Sequence, residues 1–270
     1  MHAFDPELET VAVFGHPNHE IAILGTLARL RPAVIYLTDG GGEARVAQTK
    51  SALAKMEMAD RAVFLNHSED SFYQALLRGD AAFFIDIAET LKALIAERNP
   101  RQILCDAVEF YNPVHDVTAP MVHLAARDLP SVGIFEVPLV YQEEGPGERY
   151  VLQGVPAALA GGSVTLRLSD EELALKIAAR DSIYTLLAEQ MGPLLCDAPA
   201  EAFRSEVFFP SRIAQAAPGN GRALRYEWRA RKLREAGEID EIITYSDHFV
   251  PVFDQLAGYG DGSAGRSPRQ

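Results

Sequence analysis

The chain has 270 residues, 48% of them hydrophobic, which is enough for one large domain with a substantial core. It contains no apolar run of the roughly 18 residues that a membrane span needs, and its first residues lack a basic segment followed by an apolar one, so neither a span nor a secretory signal is expected. A formal charge of −13 argues against non-specific nucleic-acid binding, which requires a basic surface.

In chain order, the first apolar β-branched run predicts a strand over 10–15. It ends in Gly15-His16-Pro17-Asn18-His19-Glu20 and leads into a helical pattern over 19–30. A second strand over 33–38 ends in Thr38-Asp39-Gly40, followed by a helix over 44–58 and a third strand over 62–66. A helix over 83–98 precedes a fourth strand, 102–106, which holds Cys105 as a small buried hydrophobe. Asp106 to Glu109 and Asn112 to Asp116 follow it, then a helix over 115–128 and a fifth strand over 132–137.

A sixth strand is expected over 164–168. Ser169 and Glu172 then form a capping box for a helix running to about Met191, where Gly192-Pro193 ends it. The basic stretch Arg222, Arg225, Arg229, Arg231, Lys232, Arg234 reads as a solvated helix face paired with Glu227 and Glu235. Residues 216–222 read as an exposed loop, and Tyr245-Ser246-Asp247-His248 as a turn that packs the C-terminus. Cys196 and Cys105 are far apart and suggest no disulfide framework, as in a reducing cytoplasm.

Strands alternating with helices imply crossover connections and a parallel sheet covered on both faces. The expected fold is therefore a Rossmann-like, three-layer α/β fold with a mostly parallel central sheet. One catalytic domain is expected over 1–257, with 193–257 an extension packed on it and 258–270 a disordered tail. In the 223–257 segment, Trp228, Phe249, Val250 and Phe253 either cover the core or form a subunit contact, which leaves homo-oligomer formation open.

In such a sheet, ligands bind beyond the C-terminal ends of the strands. His16, His19 and His115 fall at two strand ends and form a candidate metal set with one position left for water, the usual form of a catalytic zinc site. Zn2+ suits three imidazoles best, with Fe2+, Co2+ or Ni2+ as alternatives. His2, His67 and His123 read as ordinary histidines; His123 lies about 12 Å along the helix from His115. Asp106 is a candidate to orient a ligand histidine, and Glu109 either does the same or is an exposed loop acid.

The segment Gly15-His16-Pro17-Asn18-His19-Glu20 resembles the Ala-His-Pro-Asp-Asp-Glu motif that opens the PIG-L/LmbE family of zinc-dependent N-acetylglucosamine deacetylases. Thr38-Asp39-Gly40 matches the end of that family's second strand, and Asn112-Pro113-Val114-His115 partly matches its later His-Pro-Asp-His motif. The resemblance covers roughly the first 190 residues and extends through Glu136-Val137-Pro138.

It implies His16, His19 and His115 as metal ligands, with His19 where the family usually has Asp. Asn18 stands where the family has its general-base Asp, and an amide cannot accept a proton from water at neutral pH. Asn112 stands where the family often has a His beside the oxyanion, and it can still donate there. Three neutral ligands leave a divalent metal at formal charge +2, which acidifies its water more strongly and partly offsets the missing base.

The implied activity is metal-dependent hydrolysis, deacetylating an N-acetylated sugar or amino-sugar conjugate with metal-bound water. The relocated base is sought among Asp116, Asp39 and Glu20, in that order. Two further readings share the fold: a non-hydrolytic enzyme using the metal as a Lewis acid, and a catalytically silent sugar-binding protein.

Overall fold

The computed structural model describes residues 4–142, 150–155, 160–211 and 224–260. Its main sheet contains β1 (Thr10–Phe14), β2 (Ala33–Thr38), β3 (Ala62–His67), β4 (Gln102–Asp106) and β5 (Gly133–Val137), all parallel. A small antiparallel hairpin follows, β6 (Val140–Gln142) with β7 (Tyr150–Leu152). The main sheet is completed by β8 (Val164–Arg167) and β9 (Ser205–Pro210), and its order is β3-β2-β1-β4-β5-β9-β8. β9 runs antiparallel to both β5 and β8.

The helices are α1 (Leu24–Leu30), α2 (Glu43–Lys55), α3 (Glu69–Leu77), α4 (Ala81–Arg98), α5 (Pro113–Ala125), α6 (Asp170–Ser182), α7 (Thr185–Met191), α8 (Pro193–Cys196), α9 (Arg225–Glu235) and α10 (Val250–Gly258). Every residue of β1, β2 and β4 is buried, which is why these strands read as continuous apolar runs. Alternation of side chains divides them between two cores. Val11, Val13, Ile35, Leu37, Ile103 and Cys105 meet α3, α4, α5 and α10, whereas Ala12, Phe14, Val34, Tyr36 and Leu104 meet α1, α2, α6 and α7. The result is the expected three-layer arrangement.

The structure departs from the sequence reading in several places. The segment expected as one helix to Met191 breaks after Ser182 into α6 and α7. At the break the fully buried Tyr184 turns inward, and its hydroxyl donates to buried Glu20 at 2.9 Å. Second, α3 was not expected; Ser68 caps it by accepting from Ser71 N–H.

Third, β9 was not expected because Glu206 and Pro210 spoil its apolar pattern. Glu206 is fully buried there, accepting from Gly25 and Thr26 N–H at the start of α1 and from Lys176 Nζ at 2.7 Å. Fourth, residues 19–23 form a single 3₁₀ turn before α1.

Within the C-terminal extension, β9 lies inside the sheet. Leu224, Tyr226, Phe249, Val252 and Leu256 join the core under α4 and α5, so this segment covers the core. On α9, Arg231 pairs with Glu227 at 3.0 Å and Lys232 lies over the Trp228 ring, as a solvated basic face does. Residues 245–249 form a π-helical turn in which His248 Nδ1 accepts from Thr244 N–H, so His248 serves the turn. The expected 216–222 loop and most of the expected 258–270 tail lie outside the described residues. Among the described residues no helix is long and apolar enough to cross a membrane.

Strand order steps outward from β1 to β3 and then jumps back to β4 on the other side of β1. The loops after β1 and β4 therefore face each other across the reversal point, where open α/β sheets place their ligand sites.

Candidate metal centre

The loop after β1 approaches the other elements closely. Asp106, at the end of β4, accepts from Gly15 N–H through Oδ2. A Cβ at Gly15 would stand 2.9 Å from Thr118 Oγ1, so glycine is required there. Asn18 then adopts φ 78°, a left-handed conformation that asparagine tolerates, and the chain turns into the 3₁₀ turn carrying His19. Across the gap Asn112 caps α5, its Oδ1 accepting from Val114 N–H at 2.8 Å, which sets His115 in the first turn of that helix.

His16, His19 and His115 meet here, with one ligand nitrogen from each lying within 4.8 Å of the others. Their ring centroids are 4.9 Å (His16–His19), 5.4 Å (His16–His115) and 4.0 Å (His19–His115) apart. All three are buried, at 1%, 3% and 3% exposure. Burial lowers each histidine's pKa below its ordinary value, most strongly for His19 and His115, whose neighbouring imidazoles lower it further. The three rings are thus neutral at pH 7, the state a metal ligand requires.

Each Nδ1 faces its own oxygen. His19 Nδ1 donates to Asp106 Oδ1 at 3.0 Å, and His115 Nδ1 lies 3.3 Å from Glu109 Oε2. The Thr38 hydroxyl donates to Gly15 O at 2.7 Å and accepts from His16 Nδ1–H at 3.1 Å. These contacts assign the proton to Nδ1 in all three rings, from the hydrogen-bond network. The Nε2 lone pairs are what remain. His16 Nε2 faces Asn112 Oδ1 at 3.4 Å and Glu69 Oε1 at 3.5 Å, both acceptors. Neutral imidazoles anchored through Nδ1, with acceptors around a free nitrogen, are the donor set a divalent cation takes.

The other expected site residues are close by with defined partners. Asn18 donates through Nδ2 to Arg45 O at 3.2 Å and Thr49 Oγ1 at 3.1 Å. Asp116 accepts from Glu109 and Phe110 N–H through Oδ1, and burial pushes its pKa up to about 8. Asp39 accepts from Gly41 and Glu69 N–H through Oδ1. Glu20 is buried against Tyr184. Glu109 accepts from Leu139 and Val140 N–H through Oε1, and burial raises its pKa well above the usual carboxylate range. His123 Nε2 contacts Ser211 Oγ, apart from this cluster.

Three residues absent from the sequence reading also stand here. Glu69 begins α3, Tyr73 donates its hydroxyl to Glu69 Oε1, and Arg45 donates to Gly40 O and Gln190 Oε1. The polar run Asn66-His67-Ser68-Glu69 at the end of β3 was the available signal.

Asp106 orients His19 and holds the β1 turn at once. Asp106→Asn is expected to weaken Zn2+ or Co2+ affinity roughly 10–100-fold, as removal of a carboxylate behind a ligand histidine does. Competition titration against a chromogenic chelator measures this, and unchanged affinity would show that the contact does not serve the site.

No family model and no curated protein matches the chain. Among solved structures, a deacetylase of the A40926 pseudoaglycone aligns with a TM-score of 0.53 at 17% identity, over 77% of this chain and 99% of that one. The chain has the fold of the PIG-L/LmbE deacetylases. On this PIG-L/LmbE fold, the strand-end histidines that carried the motif resemblance stand together at one end of the sheet. A deacetylase triple mutant of the teicoplanin biosynthetic pathway aligns at 13% identity and the zinc-inhibited form of teicoplanin deacetylase at 12%, each with a TM-score of 0.49 over 75% of this chain and 97% of theirs.

Proposed function

We propose that this chain is a divalent-metal-dependent deacetylase that hydrolyses the amide of an N-acetylated sugar or amino-sugar conjugate. The observation that carries the reading is the triangle of neutral histidines, His16, His19 and His115, each anchored through Nδ1. Zn2+ is the favoured occupant, and Fe2+, Co2+ or Ni2+ suit the same ligands. When bound, the metal supplies Lewis acidity for the amide carbonyl and lowers the pKa of water. The chain's own residues do the rest. Asp106, Glu109 and Thr38 hold the imidazoles in one tautomer. Asn112, with Oδ1 committed to the helix cap, has its amide N–H2 to donate to a developing oxyanion. Asp116 and Asp39 fix the loops that frame the site. The free cysteines, Cys105 and Cys196, agree with a reducing cytoplasm.

A specific observation favours a second reading. Asn18 cannot act as the base, so a sugar-binding protein without turnover fits the same fold. Acetate release from N-acetylglucosamine conjugates, measured on chelator-stripped and metal-reloaded protein, separates the two readings. The deacetylase reading requires turnover that appears on reloading. Metal binding without acetate release would overturn it.

A further inference from the structure

The deacetylase reading leaves one chemical role open: a group must accept a proton from the attacking water and return it to the leaving amine. The structure narrows the choice. Asp106 serves His19 and Gly15 N–H, and Glu109 serves His115 and two backbone N–H groups. Asp116 and Asp39 each hold two N–H groups, and Glu20 is buried against Tyr184. Glu69 is different. Its side chain is 19% exposed beside histidines that are nearly sealed. Its Oε1 stands 3.5 Å from His16 Nε2, yet Glu69 lies outside the three-histidine set whose nitrogens converge within 4.8 Å. It is therefore beside the ligand triangle, on the side that water reaches.

Its position is also held. Asp39 accepts from its backbone N–H at 3.3 Å, and Tyr73 donates to its carboxylate. Gly41 lies against Oε2, where a Cβ would come to 3.4 Å. The Asn112 side chain lies beside the same Tyr73 hydroxyl.

We propose that Glu69 is the proton-transferring carboxylate of this site, in the role the family assigns to the residue at position 18. The proposal rests on the deacetylase reading. Glu69 takes one proton from water as the water oxygen bonds to the amide carbonyl carbon. When the C–N bond breaks, the same proton passes to the departing nitrogen. The products are a free amine and acetate, with the second water proton released to solvent.

The test uses the metal-stripped full chain, titrated with Co2+ and then with acetohydroxamate, whose hydroxyl proton a neighbouring carboxylate can share. Glu69→Gln preserves an acceptor for Tyr73. It is expected to bind Co2+ at wild-type stoichiometry and to lose roughly tenfold or more in hydroxamate affinity, as loss of a charge-assisted hydrogen bond does. Acetate release is expected to fall about 10²–10⁴-fold, with partial recovery in Glu69→Asp. Unchanged hydroxamate affinity would overturn the proposal, as would loss of Co2+, which would make Glu69 a ligand. A wild-type chain that binds Co2+ and hydroxamate but releases no acetate overturns the deacetylase reading and Glu69's proton transfer with it, whereas an active wild type with an unimpaired Glu69→Gln overturns the Glu69 proposal alone. A wild-type chain that binds no Co2+ overturns both.

Discussion

His115→Ala is expected to empty the metal site and reduce acetate release to background while leaving the fold in place. Two histidines do not make the three-ligand set of a catalytic centre, and among the described residues only His115 completes such a group with His16 and His19. The fold is expected to survive because Glu109 remains anchored by Leu139 and Val140 N–H at 2.6 and 2.7 Å. Burial also raises the Glu109 pKa, which eases its carboxyl toward the neutral form once the imidazole is gone. The readout with the largest amplitude is thermal. Metal at about 1,000 times its Kd stabilises the folded chain by about 4 kcal/mol. For a domain of this size that raises Tm by roughly 8–16 °C. The wild type should show this rise and hold about one metal per chain by elemental analysis; the variant should show neither. A variant that retains stoichiometric metal removes His115 from the ligand set.

How far the sequence spoke depended on whether a segment's role was local. β1, β2 and β4 were readable because strands buried on both faces must be apolar throughout. The histidines were readable because strand ends on one edge of a parallel sheet converge. β9 was not, since its charge is neutralised by Lys176 and by the start of α1, both distant in sequence. The break after Ser182 was equally hidden, because its cause is a buried carboxylate on the first turn, Glu20, that needs the Tyr184 hydroxyl. Asp39 looked chemical from its place after a strand, but its carboxylate caps backbone N–H groups. Glu69 drew no notice because α3 was not expected, and only the juxtaposition of β3 and β1 across β2 brings it to His16.

Placing the aspartate of the PIG-L/LmbE motif at position 18 is expected to harm this chain. Asn18 is 0% exposed, and its Nδ2 serves the Arg45 carbonyl, an acceptor that only a donor can satisfy. In Asn18→Asp an oxygen faces that carbonyl instead. The backbone is not the difficulty, because aspartate tolerates left-handed φ about as well as asparagine. Nor can Thr49 rescue the new carboxylate cheaply. Its Oγ1 already accepts from Asn18 N–H at 2.8 Å, and its hydroxyl lies beside buried Glu20, a competing acceptor. Loss of two buried hydrogen bonds with an unpaired charge left behind costs on the order of 3 kcal/mol. That corresponds to a Tm lower by roughly 6–12 °C. The comparison belongs in metal-stripped protein, where no cation offsets the added charge. Turnover of the reloaded variant is the second readout. A site that has moved its proton transfer to Glu69 gains nothing from a carboxylate at position 18. A site merely lacking its base should gain about 10²–10⁴-fold. An Asn18→Asp variant that is faster than wild type and equally stable would therefore return the base to position 18 and remove the reason for seeking it elsewhere.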